Sequence, residues 1–327
     1  MKIDLVYLWV DGNDAALQKK RDAALCRLGQ CVPAHSKAAA RFQDNDELRY
    51  SLRSVEKFAP WINHIYIVTD NQRPAWLADN KRVTIVDHRD FIPRELLPTF
   101  SSNMIELLIY RIPKLSEHFL LANDDFFFGR DVTPDFFFDK NGNPIVTMGE
   151  KNWPAGYYTG EKAAPRLVLQ TTANALKYAY DKTGIKFKWR LKHAFEPMRK
   201  SYMRENVESD FALFQKTTFL PFRAASQIQR IFLPFLDNAK GRNTIVDSLG
   251  GACFDKTRRR FLSKIAPPWL GKREPHRNKN IDRLISWRHF KNMPYTFCIN
   301  STWWLNSFRA NLPAMQKLFP EKSGFEK

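Results

Sequence analysis

Short apolar runs, each stopping at an acidic residue, set the rhythm of the first 130 positions. Ile3 to Val10 (IDLVYLWV) is almost continuously apolar, as in a strand buried on both faces. It stops at Asp11-Gly12-Asn13-Asp14, a turn-forming string. From Asp46 to Phe58, the residues Leu48, Leu52 and Val55 recur at helical spacing, and Pro60 closes that helix. Ile65 to Thr69 reads as a second strand ending at Asp70-Asn71, and Val83 to Val86 as a third ending at Asp87-His88. Ile105 to Leu115 reads as a helix, and Phe119 to Ala122 as a fourth strand ending at Asn123-Asp124-Asp125. Strands alternating with helices predict an α/β fold with a mostly parallel, Rossmann-like sheet flanked by helices.

Beyond Asp131 the pattern changes. Residues 166–182 and 207–216 read as helices, with aromatic and basic residues between them. Asp255 to Lys291 holds 12 Lys or Arg against three acids, interleaved with Trp269, Leu284 and Trp287. Two readings fit that region: a solvated face of a basic protein, or an interfacial element facing an anionic surface. Apolar character returns at Tyr295 to Ile299, a further strand, before a terminal helix through Leu318. The expected organisation is one catalytic domain over 1–327. An α/β core fills 1–130, a largely helical basic region 131–292, and a closing strand and helix 293–327.

Composition narrows the function classes. Hydrophobic residues make up 44% of the 327, enough for a real core, and the net charge of +18 attracts polyanions. The four cysteines lack C-x-x-C spacing, and no apolar run reaches the length of a membrane span. With the first strand starting at Ile3, the expectation is a cytoplasmic protein, with peripheral attachment to the inner membrane through 255–291 left open.

No glycine-rich dinucleotide fingerprint, P-loop, G-x-S-x-G elbow or H-E-x-x-H helix is present, which weakens dehydrogenase, ATPase, hydrolase and zincin readings. What remains is a series of strand-end acids: Asp11, Asp70, Asp87, Asp124 and Asp125. Paired carboxylates such as Asp124-Asp125 suit a divalent cation on a phosphorylated substrate. They suit a local turn or cap as well. Strand-end acids in a basic surround fit a nucleotide-sugar enzyme of the glycosyltransferase-A type.

The blocks Asp4-Leu5-Val6-Tyr7-Leu8-Trp9-Val10-Asp11-Gly12 and Arg41-Phe42-Gln43-Asp44-Asn45-Asp46-Glu47-Leu48-Arg49-Tyr50-Ser51-Leu52-Arg53-Ser54 carry a resemblance. So do Pro98-Thr99-Phe100-Ser101-Ser102-Asn103, Ile105-Glu106, Asn123-Asp124-Asp125, Lys192-His193, Phe222-Arg223 and Cys298-Ile299-Asn300. Together they resemble the Stealth family, which comprises bacterial capsular polysaccharide phosphotransferases and the animal lysosomal-enzyme GlcNAc-1-phosphotransferase. Ser301 departs from that pattern, which has an acid there.

The resemblance implies transfer of a sugar-1-phosphate from a UDP-sugar, commonly UDP-GlcNAc, to a sugar hydroxyl of an anionic polysaccharide, with release of UMP. It implies Mg2+ or Mn2+ on Asp124 and Asp125, and His193 as general base. Asp11 is expected at the ribose or the metal, Arg49, Arg53 and Arg223 at the phosphoryl oxygens, and Trp9 on the uracil. Asn103 and Asn300 complete the expected substrate contacts. A conventional glycosyltransferase releasing UDP is the alternative. A nucleic-acid-binding protein is a remote one, because the basic surface comes without the usual binding motifs.

Overall fold

The computed structural model describes residues 1–28, 42–161, 164, 166–192, 194–247, 295–299 and 307–327. The basic stretch 255–291, His193, Asn300 and Ser301 lie outside the described residues.

Strand β1 (Ile3–Leu8) is followed by helices α1 (Ala15–Leu28) and α2 (Glu47–Phe58), then by β2 (Ile65–Thr69) and β3 (Val83–Asp87). Helix α3 (Ser102–Leu108) leads to β4 (His118–Asn123) and the short β5 (Phe126–Phe128). The middle of the chain supplies β6 (Ile145–Glu150), the one-turn α4 (Gly156–Thr159), α5 (Leu167–Thr183) and β7 (Trp189–Leu191). It continues through β8 (Glu196–Arg199), α6 (Lys200–Glu208), α7 (Phe211–Thr217), α8 (Phe232–Ala239) and β9 (Thr244–Asp247). Strand β10 (Thr296–Cys298) and helix α9 (Ser307–Leu318) follow.

The main sheet has the order β3-β2-β1-β4-β8. Its first four strands are parallel, and β8 runs antiparallel to β4 with Leu121 opposite Glu196. The α/β, mostly parallel expectation is met. Alternation sorts the strand residues onto two covered faces. Val6, Tyr66, Val68, Phe119 and Leu121 pack with Met104, Leu107 and Leu108 of α3. Leu5, Tyr7, Ile65, Ile67, Leu120 and Ala122 pack with Leu48, Leu52 and Val55 of α2.

Two expectations change, and one edge strand is added. The helix read over 105–115 is α3, starting earlier, and it tightens into a 3-10 turn at Ile109–Arg111 ahead of Pro113. Proline has no N–H to continue the ladder. Residues 196–199 form a strand despite Pro197, which the sheet tolerates because β8 is an edge. The middle region is also more than helical. It holds a second sheet of order β7-β6-β9, and through β8 it joins the main one.

Candidate active site

The chain leaves β1 for β2 on one side and returns to β4 on the other, so the carboxyl ends of β1 and β4 flank the point where strand order reverses. Ligand sites of open α/β sheets lie in that crevice. The loop after β1 carries Asp11 and the end of β4 carries Asp124 and Asp125.

A third segment is brought in by a glycine. Gly12 N–H donates to the Phe42 carbonyl at 2.5 Å, and a Cβ on residue 12 would lie 2.4 Å from that oxygen. Only glycine permits this backbone approach. The contact seats residues 42–46 against the β1 loop and leads into α2. There Asp46 N–H donates to Asp44 at 3.1 Å, and Asn45 donates to Glu47 through its backbone at 2.6 Å and its side chain at 2.9 Å.

Four carboxyl groups therefore share one field. Burial pushes the Asp124 pKa well above the ordinary range, and Asp125, Glu47 and Asp44 push in the same direction. Asp44 rises to about 6, from burial first and from Glu47 second. Glu47 rises through burial. Such a group favours a proton or a cation.

The Asp124–Asp125 corner is fixed from two sides. Helix α2 holds the backbone that follows it. Ser51 donates to the Phe126 carbonyl and receives the Tyr7 hydroxyl at 2.5 Å, while Phe128 N–H donates to Ser54 at 3.0 Å. From the other side β10 pairs antiparallel with β5. Ile299 N–H donates to the Asp125 carbonyl at 3.1 Å, and the Cys298 thiol donates to Asp125 Oδ2 at 3.2 Å. Among the described residues no three His, Cys, Asp or Glu side chains converge to cage an ion. Paired carboxylates, with Asp124 at raised proton affinity, match a hard cation that keeps waters and shares substrate phosphates.

Of the other strand-end acids, three are occupied locally. Asp11 accepts from Asn13 N–H at 2.9 Å, and its own backbone is held by Gln72. Asp70 binds Lys20 at 2.7 Å. Asp87 caps the turn His88–Asp90 and pairs with Arg89 at 2.8 Å. Each of these three acids makes a local turn or surface contact.

The expected substrate contacts fare unevenly. Trp9 is only 5% exposed, packed within the α2-side core, and offers no face to a base. Arg49 and Arg53 grip Glu326, each at 2.6 Å, in place of a phosphate. Asn103 is buried and donates to Gln227 at 2.9 Å, so it anchors α3 to the segment after α7. Arg223 is half-buried and donates to Ser102, with burial lowering its pKa and Glu106 opposing that.

Sequence reading left Glu106, Arg230 and Glu196 without roles. Arg230 pairs with Glu106 at 2.8 Å and with Glu196, tying α3 to β8. Because β8 is antiparallel, the chain enters it from the carboxyl end of β4, and Phe195 stacks on Phe128 with ring centroids 4.1 Å apart.

A capsular polysaccharide phosphotransferase of Haemophilus influenzae is 30% identical over 92% of this chain and 78% of its own length. Conserved region 1 of the Stealth proteins matches residues 1–29, and conserved region 2 matches residues 41–146. The chain belongs to the Stealth family. An exopolysaccharide phosphotransferase of Streptomyces coelicolor is 40% identical over 69% of this Stealth chain, which spans 38% of that longer protein. The galactosyltransferase LgtC, solved with donor and acceptor sugar analogs, shows a loose likeness, with a TM-score of 0.45 at 12% identity. That comparison covers 97% of this chain and 95% of LgtC. Both conserved regions converge on the site: region 1 supplies the β1 loop, and region 2 supplies Asp44, Glu47, Asp124 and Asp125. Among the described residues no helix is long and apolar enough to cross a membrane.

Proposed function

We propose that this Stealth chain transfers a hexose- or hexosamine-1-phosphate from a UDP-sugar, UDP-GlcNAc by preference, to a hydroxyl of a growing capsular or exopolysaccharide. The acceptor oxygen attacks the phosphorus that bears the sugar. The bond from that phosphorus to the bridging oxygen breaks, and the electron pair leaves with UMP. The product is a phosphodiester. The observation that carries the reading is the Asp124–Asp125 corner at the strand-order reversal, with Asp124 held at raised proton affinity.

Asp124 and Asp125 are the residues to hold a divalent cation, Mg2+ or Mn2+, which supplies charge neutralisation across the diphosphate. Arg223, anchored on Ser102, is assigned to the transferred phosphoryl group, since a guanidinium offers paired donors to its oxygens. His193 takes the acceptor proton, a role that histidine commonly fills in general-base catalysis. The +18 charge supports an anionic polymer as acceptor, held by long-range attraction.

The released nucleotide tests the reading. Incubation with UDP-sugars, Mg2+ and capsule oligosaccharides is expected to give UMP and a phosphodiester 31P resonance. UDP in its place would assign an ordinary glycosyltransferase.

A further inference from the structure

The fourth stretch of this site comes from the far end of the sequence and carries a thiol. Strand β10 lies antiparallel to β5 with Cys298 opposite Phe126, so its side chain sits diagonally across from Asp125. The backbone contact from Ile299 N–H to the Asp125 carbonyl fixes the main chain of that residue. The thiol contact to Oδ2 at 3.2 Å acts on its carboxylate. Cys298 is half-buried, and nothing in the phosphoryl transfer itself calls for a thiol.

We propose that Cys298 is a positioning residue: its S–H donates to Oδ2 of Asp125 and turns the carboxylate toward the cation it shares with Asp124. This rests on the metal reading given above. A carboxylate rotates about its last bond, and a donor on one oxygen selects which lone pairs face the ion. Groups behind metal ligands govern affinity in this way, commonly by tenfold or more. A thiol is a weak donor, so the effect here belongs at the low end. The thiol also carries no charge to cancel the carboxylate. A lysine or arginine there would compete with the cation, whereas a thiol orients Asp125 and leaves its charge available.

The test is Mn2+ binding by electron paramagnetic resonance on the full chain, compared across wild type, Cys298→Ala, Cys298→Ser and Asp124→Asn, with melting temperatures recorded alongside. The wild type binds Mn2+ and Asp124→Asn does not. Cys298→Ala binds roughly tenfold more weakly without a matching loss of melting temperature. Cys298→Ser keeps a donor and recovers most of the affinity. Equal affinity in wild type and Cys298→Ala overturns the inference. So does equal weakening in the alanine and serine variants, since that pattern reports packing and not donation. If the wild type itself binds no Mn2+, the metal reading fails first and the role of Cys298 falls with it.

Discussion

Arg53 clasps both oxygens of the Glu326 carboxylate, Nε to Oε1 at 2.6 Å and Nη2 to Oε2 at 2.7 Å. Arg49, one helical turn earlier on α2, adds a third bond at 2.6 Å. The Glu326 side chain has no exposed surface, so two cations share one buried anion. These are the arginines that the sequence offered to a phosphate. Their work is to fasten residues 319–327 onto α2, helped by Phe325 in the core and by Arg53 on the Phe319 carbonyl. Helix α2 in turn holds β5 and the acidic corner.

Glu326→Gln is therefore expected to destabilise the fold by about 2–3 kcal/mol at pH 7, because two guanidinium groups lose their counter-charge. The arginines hold the Glu326 pKa at about 2, against an ordinary 4.5, although burial opposes them. A depressed carboxyl stabilises the fold above its unfolded value and loses that contribution as pH falls. The gap between wild type and Glu326→Gln should be full above about pH 5 and should close toward pH 2. Urea titrations at several pH values measure it. A gap independent of pH would refute the ion-pair account.

Gly12→Ala is a backbone test. The added Cβ meets the Phe42 carbonyl, main chain that cannot swing aside. The segment bearing Asp44, and with it the start of α2 at Glu47, must move, at a cost of roughly 1–3 kcal/mol for forced repacking. Weaker Mn2+ binding should accompany the lower melting temperature. Wild-type values for both would show that the contact does not set the site.

How much of this was legible beforehand depends on the range of the interaction. The buried strands announced themselves because two covered faces require unbroken apolar runs, as in Ile3–Leu8 and Ile65–Thr69. The Asp124–Asp125 pair stands out in sequence as adjacent acids at a strand end, yet Asp70 and Asp87 look the same there. What separates them is a lysine 50 residues away for Asp70 and a two-residue turn for Asp87. The roles of Arg49 and Arg53 depend on Glu326, more than 270 residues downstream, and no local pattern reports such a partner. Strand β8 was hidden by Pro197, which argues against a strand except at an edge. Asp44 and Glu47 stood inside a recognised block, but their approach to Asp124 follows from the fit of Gly12 on Phe42.

Ser51→Ala isolates the link between the core and the site. Ser51 receives the Tyr7 hydroxyl and donates to the Phe126 carbonyl, and all three groups are buried. Removing the Oγ strands a phenol and a carbonyl, costing about 1–3 kcal/mol. The paired change Tyr7→Phe with Ser51→Ala should cost less than the sum of the single changes, because each single variant orphans the other's partner. Additive losses in a double-mutant cycle would disprove the coupling.

His193→Ala addresses the proton. With donor binding carried by other groups, turnover should fall by roughly 10²–10⁴ while the affinity for UDP-GlcNAc changes little. Calorimetric titration of the donor and initial rates of UMP release separate these effects. A collapse of donor affinity would reassign His193 as a phosphate contact.

Asp124→Asn tests stability and function in opposite directions. Burial and three neighbouring acids raise the Asp124 pKa, so the fold favours the protonated form. Wild-type stability then falls as pH rises from the ordinary carboxylate range through that raised value. A neutral asparagine escapes this penalty. The variant should be more stable than wild type by about 1 kcal/mol or more at neutral pH without metal, with no advantage at low pH. Added Mg2+ reverses the ranking: at a hundredfold excess over its dissociation constant it stabilises the wild type by about 2.7 kcal/mol and leaves the variant unchanged. Sugar-phosphate transfer by the variant should drop by at least about a hundredfold. Thermal melts with and without Mg2+, read against UMP release, separate the two effects. A variant that is destabilised at neutral pH, yet still active, would remove Asp124 from the metal site.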